Sequence, residues 1–331
     1  MSSLLYPITP QSKTDLCVDL ITTIAGPFAT TELRFPNAKT PVWPLGKRSL
    51  DDHGIRISGV PMKGAQSYTI GKQVVEFSVG LNPSVQAAAW LLAGLCQNKD
   101  WVTTKYTIVT PTVKEAKWFS ALISGSDEAS SELGLWKTLG CLPKAVKIGI
   151  PAAGPDGGEV TMSADMIGTV FAQVSPVTLT GGTLDAGVPI LSTDCSFTLD
   201  ATAAKVCSAN INATNGAQPD PNINTVAAGP DSIILGEYTQ TGDLSLIVEP
   251  DTTSHYYAIV NGLAAKTAHA LIINVGASIV FTKNVVFGYP DGEPKEQNGV
   301  YIQTFPWRAL YGSATDPKIE ITMANLLATW A

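Results

Sequence analysis

The sequence predicts a mainly β protein built from two tandem β-sandwich or barrel units, each with a short flanking α-helix, plus long loops. Short runs in which apolar and polar residues alternate recur along all 331 residues, bounded by Gly, Pro, Asn or Asp. Only a few segments have helical spacing. A strand–proline–helix pattern occurs twice, roughly half a chain apart, which indicates an internal repeat.

The predicted strands are short and are separated by turn sequences. The runs that alternate most clearly are Val74 to Val79, Val160 to Met166, Leu244 to Val248 and Ile319 to Met323. Further runs rich in β-forming residues are Trp101 to Val109, Ser232 to Tyr238, Leu271 to Phe281 and Val300 to Phe305. Turns rich in Gly and Pro lie between them. This pattern is typical of a twisted antiparallel sandwich or barrel.

Helical segments are few. The run Ser84 to Cys96 follows Asn82 and Pro83, and Ser84 suits a helix cap because its hydroxyl can accept a backbone N–H. Spacing, or a proline at the start, predicts further helices at Val113 to Ile123, Thr252 to Asn261 and Ser131 to Leu139.

The repeated pattern lies at residues 76–84 and 243–251. Both segments contain an acid, an apolar residue, Ser, another apolar residue, and later a proline followed by a residue that can cap a helix. Each precedes a predicted helix that ends in Gly-Leu. The later strands at 160–164 and 319–323 also resemble each other. We therefore expect two duplicated domains, residues 1–178 and 179–331.

Composition indicates a subunit that buries much of its surface in an assembly. Charged residues make up 15% of the chain, against about 25% in typical soluble domains, while the hydrophobic share of 45% is ordinary. Interface cores are depleted in charged residues. A net charge of −7, without clustered Lys and Arg, argues against an electrostatic grip on nucleic acid.

Two stretches predict long loops. Residues 26–66 contain five prolines and mixed charge, and residues 210–230 are rich in Asn and Pro. Prolines stiffen a segment, and long loops in compact proteins are commonly functional. We therefore expect residues 26–66 to form an arm that packs on a neighbouring subunit. Its candidate contact residues are Trp43, Lys47, Arg48, Asp51 and Asp52.

The sequence predicts neither a secretion signal nor a membrane span. Residues 1–15 lack a basic region followed by an apolar core. The apolar run at 268–281 is interrupted by Asn274 and is too short to cross a bilayer. Five cysteines without a CxxC pair are typical of reduced, buried thiols.

No motif predicts catalysis or a cofactor. His53, His255 and His269 lack the spacing of metal ligands, and no P-loop, dinucleotide-binding loop or nucleophile elbow occurs. The seven tryptophans are scattered, which favours core packing over a sugar-binding platform. We therefore expect no enzyme activity, no cofactor and no metal.

The order of elements resembles phage tail-tube proteins. In the first half, a strand at Gln73 to Gly80 leads into the proline-capped helix. The matching features of the second half are the segments 234–237, 241–246, 290–294, 300–308 and 319–325, with Phe305-Pro306-Trp307-Arg308 among them. The resemblance covers residues 232–331 well and residues 60–175 more loosely.

This resemblance implies a structural subunit with a β-sandwich or barrel and a flanking helix. In such a family, subunits form rings whose inner sheets join into one β-barrel around a channel. Stacked rings make a tube through which DNA passes without specific binding. A duplicated chain implies a ring of three subunits, with a ring of six as the open alternative. The resemblance also implies tape-measure, tail-terminator or baseplate partners, no membrane partner, and a place in the virion tail after assembly in the host cytoplasm.

Alternation on four strands identifies candidate channel-lining residues, because each strand has a polar set opposite an apolar set. These candidates are Glu76, Ser78, Thr161, Ser163, Asp243, Ser245, Glu320 and Thr322. A polar, mildly acidic lining would repel phosphate over about 8 Å at physiological salt and let DNA slide.

Two other classes of protein remain open at this point. Another β-structural protein of a virion or appendage fits the same composition and the same low charge. A carbohydrate-binding β-sandwich, the less favoured alternative, predicts clustered, exposed tryptophans.

Overall fold

A computed structural model of the chain describes a large part of it. The described residues are 14–21, 33–35, 38–41, 45–47, 50–52, 68–70, 74–96, 101–102, 105–109, 118–126, 132–153, 158–168, 170–178, 183–184, 188–219, 233–297, 299–311 and 318–322. Within them the fold is mainly β, as the sequence predicts.

Two short α-helices lie among the strands of the described chain. The first-half elements are β1 (Thr14–Ile21), β2 (Leu33–Phe35), β3 (Ala38–Pro41), β4 (Leu45–Lys47), β5 (Leu50–Asp52), β6 (Tyr68–Ile70), β7 (Val74–Leu81), α1 (Val85–Cys96), β8 (Trp101–Val102), β9 (Lys105–Val109), β10 (Trp118–Ser126), β11 (Glu132–Ile150), β12 (Thr161–Gly168) and β13 (Val170–Thr178). The later elements are β14 (Thr183–Leu184), β15 (Ser196–Leu199), β16 (Thr202–Ala203), β17 (Val206–Thr214), β18 (Gln218–Pro219), β19 (Ile233–Ile234), β20 (Thr239–Ile247), α2 (His255–Gly262), β21 (Ala268–Val275), β22 (Ile279–Phe287), β23 (Lys295–Gln297), β24 (Val300–Ala309) and β25 (Lys318–Thr322).

Both helices begin at a serine cap. Ser84 Oγ accepts a hydrogen bond from the backbone N–H of Ala87 at 3.1 Å, which confirms the predicted start of α1. Ser254 Oγ accepts from the N–H of Tyr257 at 3.2 Å, so α2 begins after Ser254 and not at Thr252. The first turn of α2 is displaced because Asp251 forms a local turn with Thr253 instead.

Two predicted helices are wrong where the structure describes them. Residues 118–123 belong to β10, and residues 132–139 belong to the long strand β11. Strand β10 is paired along both edges, with β1 and with β11, and these non-local backbone hydrogen bonds outweigh local helical spacing. Residues 113–117 and 131 lie outside the described residues.

The predicted loops also contain strands. Residues 210–214 continue β17, which pairs with β11 on one edge and β20 on the other. Asn210 and Asn212 alternate with buried Ile211 and Ala213, so this Asn-rich run is half-buried β structure. In the stretch 26–66, strands β3 and β4 pair with β7 of the same chain.

One antiparallel sheet joins the two halves of the chain. Its strand order is β7, β12, β11, β17, β20, β24, and we call these six strands the central sheet. The junction lies between β11 of the first half and β17 of the second, where Ala145–Ile150 pairs with Ala209–Thr214.

The same order of pairings occurs in both halves. In the first half β7 pairs with β12, β12 with β11, and β11 also with β10 and β13. In the second half β20 pairs with β24, β24 with β22, and β22 also with β21 and β25. The helix follows β7 in one half and β20 in the other. By its partners, β12 therefore matches β24 and not β25, the strand with the more similar sequence.

The core lies on one side of the central sheet and contains side chains from both halves. Buried polar groups join the halves as well. Asn215 Nδ2 donates to the carbonyls of Leu95 and Pro143, at 3.0 and 2.9 Å. Cys96 Sγ lies 3.4 Å from Tyr238 Oη, which accepts from Gln240 Nε2 at 2.8 Å. These bonds fix α1 against the second half.

Candidate functional site

The candidate site is the face of the central sheet opposite the core, which we call the polar face. On β7, Val75, Phe77 and Val79 are buried, whereas Glu76 is exposed and Ser78 is half-buried. The other five strands alternate in the same way over most of their length, because successive side chains of a strand point to opposite sides, although Ile167 and Ser245 are buried on this side. The polar face therefore extends across both halves of the chain.

Strand register aligns polar residues in rows across this face. One row contains Ser163, Lys147, Asn212, Thr241 and Arg308, each paired with the next across a strand boundary. The row crosses the junction between the halves without a shift in register at Lys147 and Asn212.

A second row runs parallel to the first. It contains Thr161, Gly149, Asn210, Asp243 and Pro306. Hydroxyl and amide side chains make up five of the ten residues in the two rows and occur on both sides of the junction. Such groups offer hydrogen bonds to water and carry no net charge.

Most of the predicted lining residues lie on the polar face. The six found there are Glu76, Ser78, Thr161, Ser163, Asp243 and Ser245. Glu320 and Thr322 lie on β25, between β22 and β9 and outside the central sheet. Whether any of these residues lines a channel depends on the assembly and stays a prediction.

Sequence reasoning missed half of this face. The missed residues are Lys147, Asn210, Asn212, Thr241, Thr304 and Arg308. The signal for Asn210 and Asn212 was their alternation with apolar residues, which the high Asn and Pro content of the stretch obscured.

The charges on the polar face are balanced and are not predominantly acidic. Glu76 Oε1 lies 3.7 Å from Lys144 Nζ, and Asp165 Oδ2 lies 3.8 Å from Lys147 Nζ. Ser78 Oγ also donates to Asp165 Oδ1 at 2.6 Å. Exposed pairs of this kind contribute little to stability, but each places a positive charge beside a negative one.

The predicted arm is described in part. Lys47 lies on β4, next to β7, and Asp51 and Asp52 lie on β5. Strand β5 pairs with β6, and within the described residues these two strands form a small sheet separate from the central one. Trp43 and Arg48 lie outside the described residues.

The described histidines and cysteines have structural surroundings. His269 Nδ1 lies 2.7 Å from Asp200 Oδ2, and Asp200 Oδ1 accepts from the N–H of Ala270 at 2.9 Å, which fixes the turn between β15 and β16. Burial raises the pKa of the Cys96 thiol to about 12, which disfavours the reactive thiolate. Among the residues with described side chains, no group of three His, Cys, Asp or Glu could hold a metal.

Trp307 bears on the carbohydrate-binding alternative. Its side chain is 3% exposed and packs inside the second half, so it offers no platform for a sugar ring. In the described part of the chain, no helix combines the length and apolar character needed to span a bilayer.

Comparison with known proteins completes the description of the site. A search of curated proteins returned no match. The family model described as phage tail tube protein matches residues 61–309, a range that contains the whole central sheet. The chain belongs to the phage tail tube protein family.

Proposed function

We propose that this chain is the structural subunit of a phage tail tube, and that its polar face lines the channel through which DNA leaves. Three copies form a ring, and rings stack into the tube. The observation that carries this proposal is the β11–β17 junction, which joins the sheets of the two halves into one continuous surface with a polar side.

The ring of three follows from an internal duplication. The two halves share their order of strand pairings and the place of their helix, and each has a serine cap before that helix. Unrelated halves have no physical reason to share all of these. Three duplicated chains present six similar units around one axis, so the ring has approximate sixfold symmetry.

Ring closure requires a free edge at each end of the sheet. Strand β24 has β20 along one edge and, along the other, β22 followed by β23. In the first half, β11 occupies the place that β22 and β23 have in the second half, and it pairs with β17. Among the strands that the structure describes, none pairs with the outer edge of β23. Unpaired edges of this kind invite another chain.

The partner for β23 is β3 and β4 of the next copy. These two short strands lie beside β7 as β17 lies beside β20. The β11–β17 junction is antiparallel, so the contact between copies is antiparallel too. A head-to-tail contact that closes in this way produces a ring.

The chemistry of the polar face suits passage of DNA. Two of its acids, Glu76 and Asp165, are accompanied by Lys144 and Lys147, so it presents neither a strongly attracting nor a strongly repelling field to phosphate. Hydroxyl and amide groups stay hydrated. Few cations on this face lack an acidic partner, so few are free to bind the phosphate backbone of DNA. We therefore propose that DNA passes because it binds this face weakly, and not because an acidic lining repels its phosphates, as the sequence alone predicted.

A substitution at Glu296 tests the proposal. Val248 N donates to Tyr301 O at 2.8 Å, so the backbone groups of Tyr301 face β20. Because Tyr301 is opposite Glu296, the N–H of Glu296 points away from β24, toward the free edge. Glu296→Pro therefore removes an edge donor without breaking a bond inside the chain, and Glu296→Ser is the matched control.

Electron microscopy of purified protein gives the readout. The natural chain and the serine variant should form rings or tubes, while the proline variant should remain folded and fail to close rings. A natural chain that stays monomeric at high concentration would refute the tube assignment. Normal tubes from the proline variant would refute the proposed edge.

A further inference from the structure

We infer that protonation of Lys283 opens the contact between the end of β22 and the end of β24, which makes this part of the sheet sensitive to acid. The opening is a property of the subunit itself and does not require a ring. Its consequence for the channel rests on the proposed function, because Arg308 of β24 belongs to a row of the polar face.

Lys283 lies where β22 changes its partner. The residues of β22 up to Thr282 pair with β25, and those from Val285 onward pair with β24. We call the two residues between these pairings, Lys283 and Asn284, the fork. The ladder along this edge of β22 is interrupted at the fork, and an interrupted ladder is a place where a sheet can open locally.

The contact beyond the fork is short. It consists of three residue pairs, from Val285 with Ala309 to Phe287 with Trp307, whereas β20 and β24 share seven pairs. A groove of about 810 Å³ borders the contact, and Phe287 and Trp307 are among its lining residues. The groove is open to solvent at the polar face, so water needs to move only a short distance to reach the fork.

The surroundings of the Lys283 amine suit its neutral form. The side chain is buried, and its Nζ lies 3.2 Å from Gln240 Oε1 and 4.2 Å from the centre of the Trp307 ring. A protonated amine has three N–H donors, and no carboxylate among the described residues forms an ion pair with it. Burial therefore lowers the pKa of Lys283 to about 7.

Other titratable groups around the fork supply no negative charge to this amine. Burial raises the pKa of Cys96 and of Tyr311 to about 12, and it also raises the pKa of Tyr238, so all three stay neutral. His269 lies on the same side of β21, with its Nδ1 2.7 Å from Asp200 Oδ2. The Asp200 carboxylate therefore already has a partner.

Trp307 gives a second reason for the contact to open. Its Nε1 is buried and has no hydrogen-bond partner among the described residues. A buried donor without an acceptor is costly, and water that enters from the groove would provide an acceptor for Trp307 and for Lys283 together. Protonation of Lys283 adds a charge to this poorly satisfied site and so favours the open form.

The direction of the pH effect follows from proton binding. In the open form Lys283 contacts water and its pKa returns to 10.5, whereas in the closed form it is about 7. The ratio of open to closed subunits therefore rises about tenfold for each unit that the pH falls through this window, and it levels off below pH 7. Between pH 9 and pH 6 the rise is about a hundredfold.

Opening changes the lining of the proposed channel. Arg308 pairs with Val286 across the contact and with Thr241 on its other edge. After opening, Arg308 is held by β20 alone, and a positive charge on Lys283 lies behind it. Acid should therefore increase the adhesion of DNA to the second half of the polar face.

Hydrogen exchange of the dissociated, full-length subunit tests the opening. The N–H groups of Gly288 and Leu310 donate across the contact, to Pro306 O and Asn284 O, and report on it. Their protection, corrected for the intrinsic effect of pH on exchange, should fall about a hundredfold between pH 9 and pH 6. Dilute urea should change it little, because a local opening exposes little surface.

Two variants complete the test. Lys283→Met should abolish the pH dependence of these two amides, while Lys295→Met, on the exposed strand β23, should retain it. Equal protection at both pH values, pH dependence that persists in Lys283→Met, or protection that falls steeply with urea would each overturn the inference. None of these results depends on ring formation, which electron microscopy tests separately.

Discussion

Lys283 is a buried lysine in the core of the second half, and Lys283→Met should stabilise the subunit below pH 7. Its side chain is almost fully buried, and its Nζ lies 3.2 Å from Gln240 Oε1 and 4.2 Å from the centre of the Trp307 ring. No described carboxylate forms an ion pair with it. Burial accordingly lowers the pKa of Lys283 from 10.5 to about 7.

The direction in which stability changes with pH follows from proton binding. Between pH 7 and 10.5 the unfolded chain holds a proton on Lys283 that the folded chain has released, so stability rises with pH across this window. Below pH 7 the folded state carries the full cost of a buried charge, at most about 5 kcal/mol. The variant also loses the contacts with Gln240 and Trp307, which offsets about 2 kcal/mol of the stability gained by removing the charge. The methionine variant should therefore be more stable by about 3 kcal/mol at pH 6.

Urea unfolding of the dissociated subunit at pH 6 and pH 10 measures this difference. The advantage of the variant should fall by about 4 kcal/mol between the two pH values, because above pH 7 folded Lys283 has released its proton while the unfolded chain still holds most of it at pH 10. The exposed Lys295, replaced by methionine, should show no such pH-dependent change. A variant that is less stable than the natural chain at pH 6 would refute the reasoning, since it would mean that Lys283 has a stabilising partner when charged.

Two further predictions concern the central sheet. Gly242→Ala should lower the free energy of unfolding by about 2 kcal/mol or more, because the added Cβ would lie 2.0 Å from Asn210 O; an unchanged urea midpoint would contradict this packing. Glu76→Lys with Asp243→Lys should leave tubes intact yet slow DNA ejection, because phosphates bind the added cations. Glu293→Lys, on an exposed turn, is the control, and normal ejection from the double variant would count against the polar face as the lining.

The sequence was sufficient to predict those elements whose pattern lies within the segment itself. The strand at Val74–Leu81 alternates strictly, and the serine that begins α1 precedes a run of good helix formers. No local pattern predicted strand β11, because this long strand is held by pairing with other strands of the sheet. Non-local pairing of this kind is weakly encoded in any single segment.

The candidate site shows the same division. Alternation placed Glu76 and Asp243 opposite the buried residues of their strands, but it could not show that Lys147 and Asn212 lie between them. It also grouped Glu320 with them, because β25, which lies outside the central sheet, has the same alternating pattern as the strands within it. Register between distant strands decides which polar residues share a face.

An electron cryomicroscopy reconstruction of the assembled tube tests the central claim most directly. We expect rings of three chains with approximate sixfold symmetry, in which Lys147, Asn212 and Thr241 face the channel and β23 pairs with β3 and β4 of the next copy. A reconstruction in which this row of residues faces the outside of the tube, or in which six chains form each ring, would contradict the account.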